Sequence, residues 1–343
     1  MNVNSSQSVN GSTQGAFRGN DPVRLHVTTA VAQVIVWPFI LIDLFMLLVY
    51  LRKQVLGTEA RYVLFAQTLL ADAIFLLLTN CGVISYYVDF VVPMAFCVPL
   101  CIVMDALAQV SPNIILAMCL ERYVAVCMPL RHVDIFTPQR TVLIITIVWL
   151  LSFMRPLVDL IILLSYIAES YFYKMTSCSY EVLLQRDWHM MMRGNVYILK
   201  LVFTVLILCF SYGSIMMVAR RASGDNRNAA SKGQRTMLLH VLQLFFCTLE
   251  AVSPFIEARI LEMRDINLFL IIRYFDFLAF HIFSRAISPL IYGFRDEKFY
   301  TALRYYACFH CPLHSEISTI PIPKKSASNS LADYRPVALI PLS

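Results

Sequence analysis

Met118-Cys119-Leu120-Glu121-Arg122-Tyr123-Val124-Ala125-Val126-Cys127-Met128-Pro129-Leu130-Arg131-His132 closes an apolar run that begins near residue 95. A helix needs about 20 mostly apolar residues to cross a bilayer, and this run is long enough. At its end an acid and a base stand side by side. In water such a pair is ordinary. At a membrane border an arginine is costly unless something pairs it, and Glu121 is the adjacent partner. The plainer alternative is an arginine that snorkels to the headgroups.

Apolar stretches of the same kind recur on both sides. In order they are segments 1 to 7, covering residues 27–51, 61–84, 95–127, 139–166, 195–220, 234–257 and 267–293. The expected fold is an all-α membrane protein, a seven-transmembrane helix bundle. Composition agrees, since 59% of the 343 residues are hydrophobic and 15% charged, against about half and a quarter in soluble domains. Pro38, Pro99, Pro112, Pro156, Pro254 and Pro289 fall inside the segments. A membrane bundle tolerates them because neighbouring groups satisfy the freed carbonyls. There is no P-loop, nucleophile elbow or metal-spaced His/Cys set, so neither enzyme activity, cofactor nor metal is expected. No internal repeat supports a transporter or channel. The net charge of +6 forms no basic run with stacking aromatics, so nucleic acid is not an expected partner. Cys81, Cys101, Cys119, Cys127, Cys209 and Cys247 lie in apolar runs and read as small buried hydrophobes.

Lys and Arg set the orientation. Arg52, Lys53 and Arg61 follow segment 1; Arg131 and Arg140 follow segment 3; Arg220, Arg221, Arg227, Lys232 and Arg235 follow segment 5. The opposite loops hold mixed charges, which puts the N-terminus outside and the C-terminus inside. Residues 1–26 then form an extracellular tail with glycosylation sequons at Asn4 and Asn10. No signal-peptide core precedes the first spanning helix, which is expected to act as its own signal. Residues 27–293 form the spanning domain. Residues 294–311 read as a short amphipathic helix on the inner leaflet, a contact with membrane lipid, since Phe299, Ala302, Leu303 and Tyr306 share a face. Cys308 and Cys311 are palmitoylation candidates, with unmodified thiols an equal alternative. Residues 312–343 are expected to be a disordered cytoplasmic tail.

The run at 118–132 resembles the motif of rhodopsin-like G protein-coupled receptors that ends the third helix, in the longer form typical of odorant receptors. Ser288-Pro289-Leu290-Ile291-Tyr292 resembles that superfamily's seventh-helix motif, with Ser288 where Asn is usual, and Gly293 through Phe299 resembles the odorant-receptor ending. Ser211-Tyr212, Leu70-Ala71-Asp72, Trp149 and the stretch from Lys232 to Gln243 match further family positions, while Glu250 stands at the level of the usual sixth-helix proline. The runs from Ala60 to Leu70 and from Met118 to Cys127 are similar to teleost odorant receptors in particular. The resemblance implies a switch of Glu121, Arg122, Tyr123, Tyr212, Pro289 and Tyr292, facing a heterotrimeric G protein of the olfactory stimulatory type. It also implies a disulfide between Cys97, at the family's spacing of 25 positions before Arg122, and Cys178 in the second outer loop. The implied function is detection of a small odorant at the plasma membrane of an olfactory sensory neuron, with cAMP as the signal. A non-olfactory rhodopsin-like receptor for an amine or short peptide is the alternative.

Ionisable residues inside a membrane are functional candidates, and they fall into two sets. The inner set is Asp43, Asp72, Ser111, Arg285 and Ser288, with Ser284 nearby. The superfamily often holds a sodium ion at this level. Arg285 is expected either to bridge Asp43 and Asp72 in sodium's place, or to leave one of the carboxyls neutral. The outer set is Asp105, Gln109, Lys200, Glu250 and His281. Asp105 lies about 12 Å below Cys97 along a helix, at the depth where the family binds ligand. Charges there suit a small polar, water-soluble odorant. Asp105 and Lys200 are expected to pair with each other, or with a ligand's charges. Arg155 and Asp159, four apart, are expected to pair on one helix face. The Met190–Met192 run reads as solvated loop, with an adaptable lid as the alternative.

Overall fold

The computed structural model describes residues 22–52, 59–176, 178, 183, 187–221 and 266–286, together with 238, 241–242, 244–246, 248–249, 252–253, 256, 260, 289, 300–301, 322–323 and 334–335. Five described helices are long and apolar enough to cross a membrane. They are α1 (Pro22–Arg52), α2 (Ala60–Tyr87), α3 (Met94–Cys127), α5 (Pro138–Tyr166) and α6 (Asp187–Arg221); the short α4 (Pro129–Ile135) links α3 to α5. They carry segments 1 to 5. Segment 6 lies largely outside the described residues. Segment 7 begins as α7 (Ile266–Asp276) and passes into a π-helical turn, Phe277–Ile282.

Each helix is apolar around its whole circumference, yet each has a distinct inner stripe. In α1 the buried positions are Ala32, Val36, Ile40, Asp43, Met46 and Val49, three or four residues apart. That spacing is one face of a 3.6-residue helix. The outward residues, such as Val34, Leu41 and Leu48, are exposed and equally apolar. Hydrocarbon accepts them, so inward and outward faces differ by packing and polarity rather than by hydrophobicity. α3 is the central helix, packing against α2, α5 and α6. Pro129 starts α4 at its first turn, where a missing N–H costs nothing, and Thr137 caps α5 by accepting from Arg140 N at 3.4 Å.

The N-terminal end of α3 is tied to the loop between α5 and α6. The two-residue strands β1 (Val92–Pro93) and β2 (Met175–Thr176) pair antiparallel, Val92 opposite Thr176. Next to them Cys97 and Cys178 form a disulfide with a Cα–Cα distance of 5.4 Å. Met94, Cys97, Val98, Cys101, Ile102, Leu163 and Leu183 pack into one apolar cluster beneath. Cys101 Sγ lies 3.8 Å from both bonded sulfurs, but with those two oxidised the trio offers no set of thiolate ligands. Two other cysteines depart from the sequence-based expectation. Cys81 and Cys209 are exposed on the outer surface of their helices rather than buried, which an apolar run cannot distinguish because both faces of a membrane helix are apolar.

α6 begins at Asp187, two turns before the expected start of segment 5. The Met190–Met192 run therefore belongs to a helix and not to a loop. The charges in this extension turn inward: His189 is fully buried and Arg193 nearly so. Residues 301–343 form a separate unit, whose described part includes a two-stranded pairing of Ile322–Pro323 with Tyr334–Arg335.

Cleavage of the Cys97–Cys178 bond opens a link across 81 positions. Cys178→Ser is expected to lower stability by about 2–5 kcal/mol, seen as a lower Tm in detergent and reduced surface expression. An unchanged Tm contradicts this.

Candidate functional site

Three helices bring an outer polar cluster together. α3 contributes Asp105 and Gln109, one turn apart. α5 contributes Arg155 and Asp159, also one turn apart. α6 contributes His189, Arg193, Tyr197 and Lys200, at spacings of four, four and three that keep them on one face. Asp105 Oδ1 accepts from Arg155 Nη2 in a very short contact and from Arg193 Nη2 at 3.3 Å. Arg193 also donates through Nη1 to Asp159 Oδ2 at 3.3 Å, and His189 Nε2 lies 2.8 Å from Asp159 Oδ1. Arg193 therefore joins the carboxylates of α3 and α5. The Arg155 guanidinium stands over the Tyr197 ring, 4.5 Å from its centroid, a geometry in which the ring quadrupole favours the cation. Below it, Lys200 Nζ donates to Gln109 Oε1 at 2.6 Å and Gln109 Nε2 donates to Tyr197 Oη at 3.1 Å.

Two expected pairings are replaced. Lys200 bonds Gln109, while Asp105 takes Arg155 and Arg193 instead of Lys200. Arg155 turns to Asp105 across the helix interface, and Asp159 is bound by His189 and Arg193 rather than through its own helix. The reason is the early start of α6, which brings His189 and Arg193 onto the helix face opposite Asp105 and Asp159. Their signal was present in the sequence: His189, Arg193, Tyr197 and Lys200 already follow the helical period. Glu250 lies outside the described residues. His281 does not join this cluster among its described contacts. It stacks on Phe75 at 6.1 Å, and its carbonyl accepts from Arg285 Nη1 at 3.0 Å.

The inner network is built on α1, α2, α3 and the end of segment 7. Ser111 Oγ donates to Asp72 Oδ1 at 2.6 Å, and Arg285 Nε lies 3.5 Å from the same oxygen. The Arg285 guanidinium also covers the Phe75 ring at 3.7 Å. The expected bridge to Asp43 is not formed. Asp43 is fully buried, and no described group donates to either of its carboxyl oxygens. Arg285 points to Asp72 and to its own preceding turn, just after the π-helical stretch Phe277–Ile282. Ser288 is outside the described residues. Sequence reading also missed Ser253, which donates to Asp276 Oδ2 at 2.5 Å, both residues being buried.

At the inner end of α3, Glu121 is buried while Arg122 is one-fifth exposed, with 3.4 Å between Glu121 Oε2 and Arg122 Nε. His132 of α4 reaches back so that its Nε2 lies 3.0 Å from Glu121 Oε1. Glu121 is thus held from two sides. Tyr123 packs on Phe210 of α6, at 5.5 Å between ring centroids. Ser211 and Pro289 are buried and Tyr212 is half-buried. Tyr292, Asn4, Asn10, Cys308 and Cys311 lie outside the described residues.

Residues 43–292 match the family described as 7 transmembrane receptor (rhodopsin family). The chain is also 35% identical over 298 residues to Odorant receptor 131-2 of Danio rerio, covering 86% of this chain and 91% of that one. It belongs to the odorant receptors of the rhodopsin family. More distant relatives include Olfactory receptor 51E1 of Homo sapiens, 24% identical over 61% of this chain and 65% of its own. Another is Olfactory receptor 4K2 of Homo sapiens, 21% identical over 56% of this chain and 59% of its own. The family defines the whole as a multi-pass seven-transmembrane bundle, of which α1, α2, α3, α5 and α6 are the first five spans. It is a receptor with a small-molecule ligand and a G protein partner, and not an enzyme.

Removing Arg193 leaves two buried carboxylates short of a partner. Arg193→Met is expected to cost about 3–5 kcal/mol, read as a lower detergent Tm. Adding Asp159→Asn should recover part of that loss, giving a coupling of about 0.5–3 kcal/mol in a double-mutant cycle. Additive losses would show that the pair is not energetically linked.

Proposed function

We propose that this odorant receptor detects a small, polar, water-soluble odorant through the outer cluster on α3, α5 and α6, and activates a stimulatory G protein of the olfactory kind to raise cAMP. The supporting observation is the buried assembly of Asp105, Arg155, Arg193 and Asp159, with Gln109 and Lys200 beneath it. Intramembrane charge is expensive and tends to mark function, and Asp105 at its centre lies about two turns below Cys97 on α3. Glu250, from segment 6, is assigned to the same site. Ligand binding shifts a pre-existing equilibrium between closed and open bundles. Opening releases Arg122 from Glu121, and Arg122, Tyr212 and Tyr292 then form the face that meets the G protein.

The orientation that goes with this has residues 1–26 outside, glycosylated at Asn4 and Asn10, and residues 294–343 inside, in an olfactory sensory neuron. Residues 294–311 lie along the inner leaflet, with Cys308 and Cys311 as lipid attachment points. Arg285 supplies the positive charge at Asp72 that a sodium ion supplies in related receptors, which is supported by the 3.5 Å approach of its Nε to the carboxylate.

The test is expression with an olfactory stimulatory G protein and a cAMP readout, over a panel of charged and neutral small odorants. An agonist that raises no cAMP yet protects the receptor against heat would exclude stimulatory coupling. Glu121→Gln removes the shared anchor of Arg122 and His132, so basal cAMP should rise roughly 2- to 10-fold, as a shift of about 0.4–1.4 kcal/mol implies. Unchanged basal signalling counts against the switch. Agonist potency in wild type should be the same in sodium and potassium buffers, and Arg285→Gln should make it depend on sodium. Sodium dependence in wild type excludes the substitution of Arg285 for the ion.

A further inference from the structure

We infer that the ligand class is a zwitterion, a small molecule carrying a carboxylate beside an ammonium group, which docks on Arg155 and Asp105 together. This rests on the proposal that the outer cluster is the ligand site, and it adds Arg155 as a residue that sets specificity.

The argument starts from what the Asp105–Arg155 pair leaves unused. The two residues meet through one atom each, Oδ1 and Nη2. Asp105 Oδ2 is buried and accepts nothing from any described group. Arg155 Nε and Nη1 are buried as well and donate to no described group. A buried polar atom without a partner is destabilising, and here three sit on two bonded residues. Asp105 is 7% exposed. The Arg155 side chain keeps 15% exposure, the largest among the charged partners of Asp105 and Asp159, so Arg155 is the edge from which a ligand approaches.

Charge then selects the ligand. A simple anion placed on Arg155 meets the carboxylate of Asp105. A simple cation placed on Asp105 meets the guanidinium of Arg155, with Arg193 behind it at 3.3 Å from the same carboxylate. Each would bring an uncompensated charge into a low-dielectric interior, where that is expensive. A zwitterion brings both signs and no net charge. Its carboxylate accepts a charge-assisted hydrogen bond from one of the two free Arg155 donors, Nε or Nη1, and its ammonium donates to Asp105 Oδ2. Four charges then alternate in sign around a ring, and the total buried charge is unchanged. The ligand then joins α3 and α5 beside their direct link, because Asp105 and Arg155 hold the ligand as well as each other. Arg193 keeps its own bridge from Asp105 to Asp159, so the cluster survives ligand binding.

The experiment uses matched sets: an α-amino acid, the amine left by removing its carboxyl group, and the acid left by removing its amino group. Several side chains are sampled, with neutral odorants as a further arm. Receptor at the cell surface is measured by an epitope tag, activation as cAMP, and binding as thermal protection of purified receptor. In wild type only the zwitterion of at least one set should act. Arg155→Gln should weaken that ligand roughly 10- to 100-fold, the loss expected for hydrogen bonds to a charged group, and move preference toward the matched amine. Asp105→Asn should move preference toward the matched acid. If either single variant fails to reach the surface, Asp105→Asn/Arg155→Gln keeps the site neutral and should lose the zwitterion while leaving heat stability near wild type. Amines or acids as potent as their zwitterions overturn the inference, as does a wild-type response confined to neutral odorants, which leaves the receptor function standing. Thermal protection by a zwitterion without cAMP upholds the inference and removes only stimulatory coupling. Equal weakening of every ligand in both variants makes the pair structural and overturns it.

Discussion

Everything in the outer half of this bundle depends on one constraint: charge buried between membrane helices must find opposite charge on a neighbouring helix. Water is not there to solvate it, and most backbone donors and acceptors are already used within their own helices. Asp105 on α3 and Asp159 on α5 are both almost fully buried. Arg193 of α6 spans them, and Arg155 and His189 complete the set. The cluster does more than balance charge. It fixes the rotation of three helices about their axes, since each residue must face the same point. Apolar packing cannot do this as sharply, because inward and lipid-facing surfaces are equally apolar.

The same constraint explains where sequence reading succeeded. Segment positions follow from hydropathy alone, and α1, α2, α3 and α5 lie where the apolar runs put them. The motif at Glu121-Arg122 was legible because an ion pair between adjacent residues needs no knowledge of helix packing, and the 3.4 Å approach follows. Cys97 and Cys178 were legible through resemblance, and their bond is present.

Partner choice was less legible, because it depends on the facing of helices far apart in sequence. Asp105 and Lys200 are both charged and at comparable depth, yet Lys200 meets the amide of Gln109. Arg155 and Asp159 satisfy the rule for pairs four apart, but that rule describes isolated helix surfaces in water. Inside a bundle, a partner on the facing helix competes and here prevails for both. The start of α6 was missed for a related reason: Trp188 through Arg193 has loop-like charge content but helical spacing. Its charges look like solvent exposure only until Asp159 is known to lie opposite. Asp43 marks the limit from the other side. Its burial is expected from the helix stripe, but the choice of Asp72 over Asp43 by Arg285 depends on how segment 7 faces α2, which no residue pattern announces.

The two polar centres differ in how their charge is arranged, and that difference bears on what each does. At the inner centre one cation serves Asp72 and stands against an aromatic face, so the charge is compact and held within two helices. At the outer centre two guanidiniums and two carboxylates are spread across three helices, with bonding capacity left over on Asp105 and Arg155. Both centres keep buried polar atoms that no described group bonds, on Asp43 at the inner one and on Asp105 and Arg155 at the outer one. At the outer centre those atoms lie where three helices meet. Between the two lies α3, which carries Asp105, Ser111 and Glu121 on one continuous helix. Asp105 and the ion pair of Glu121 with Arg122 are therefore carried by the same helix, with Pro112 between them.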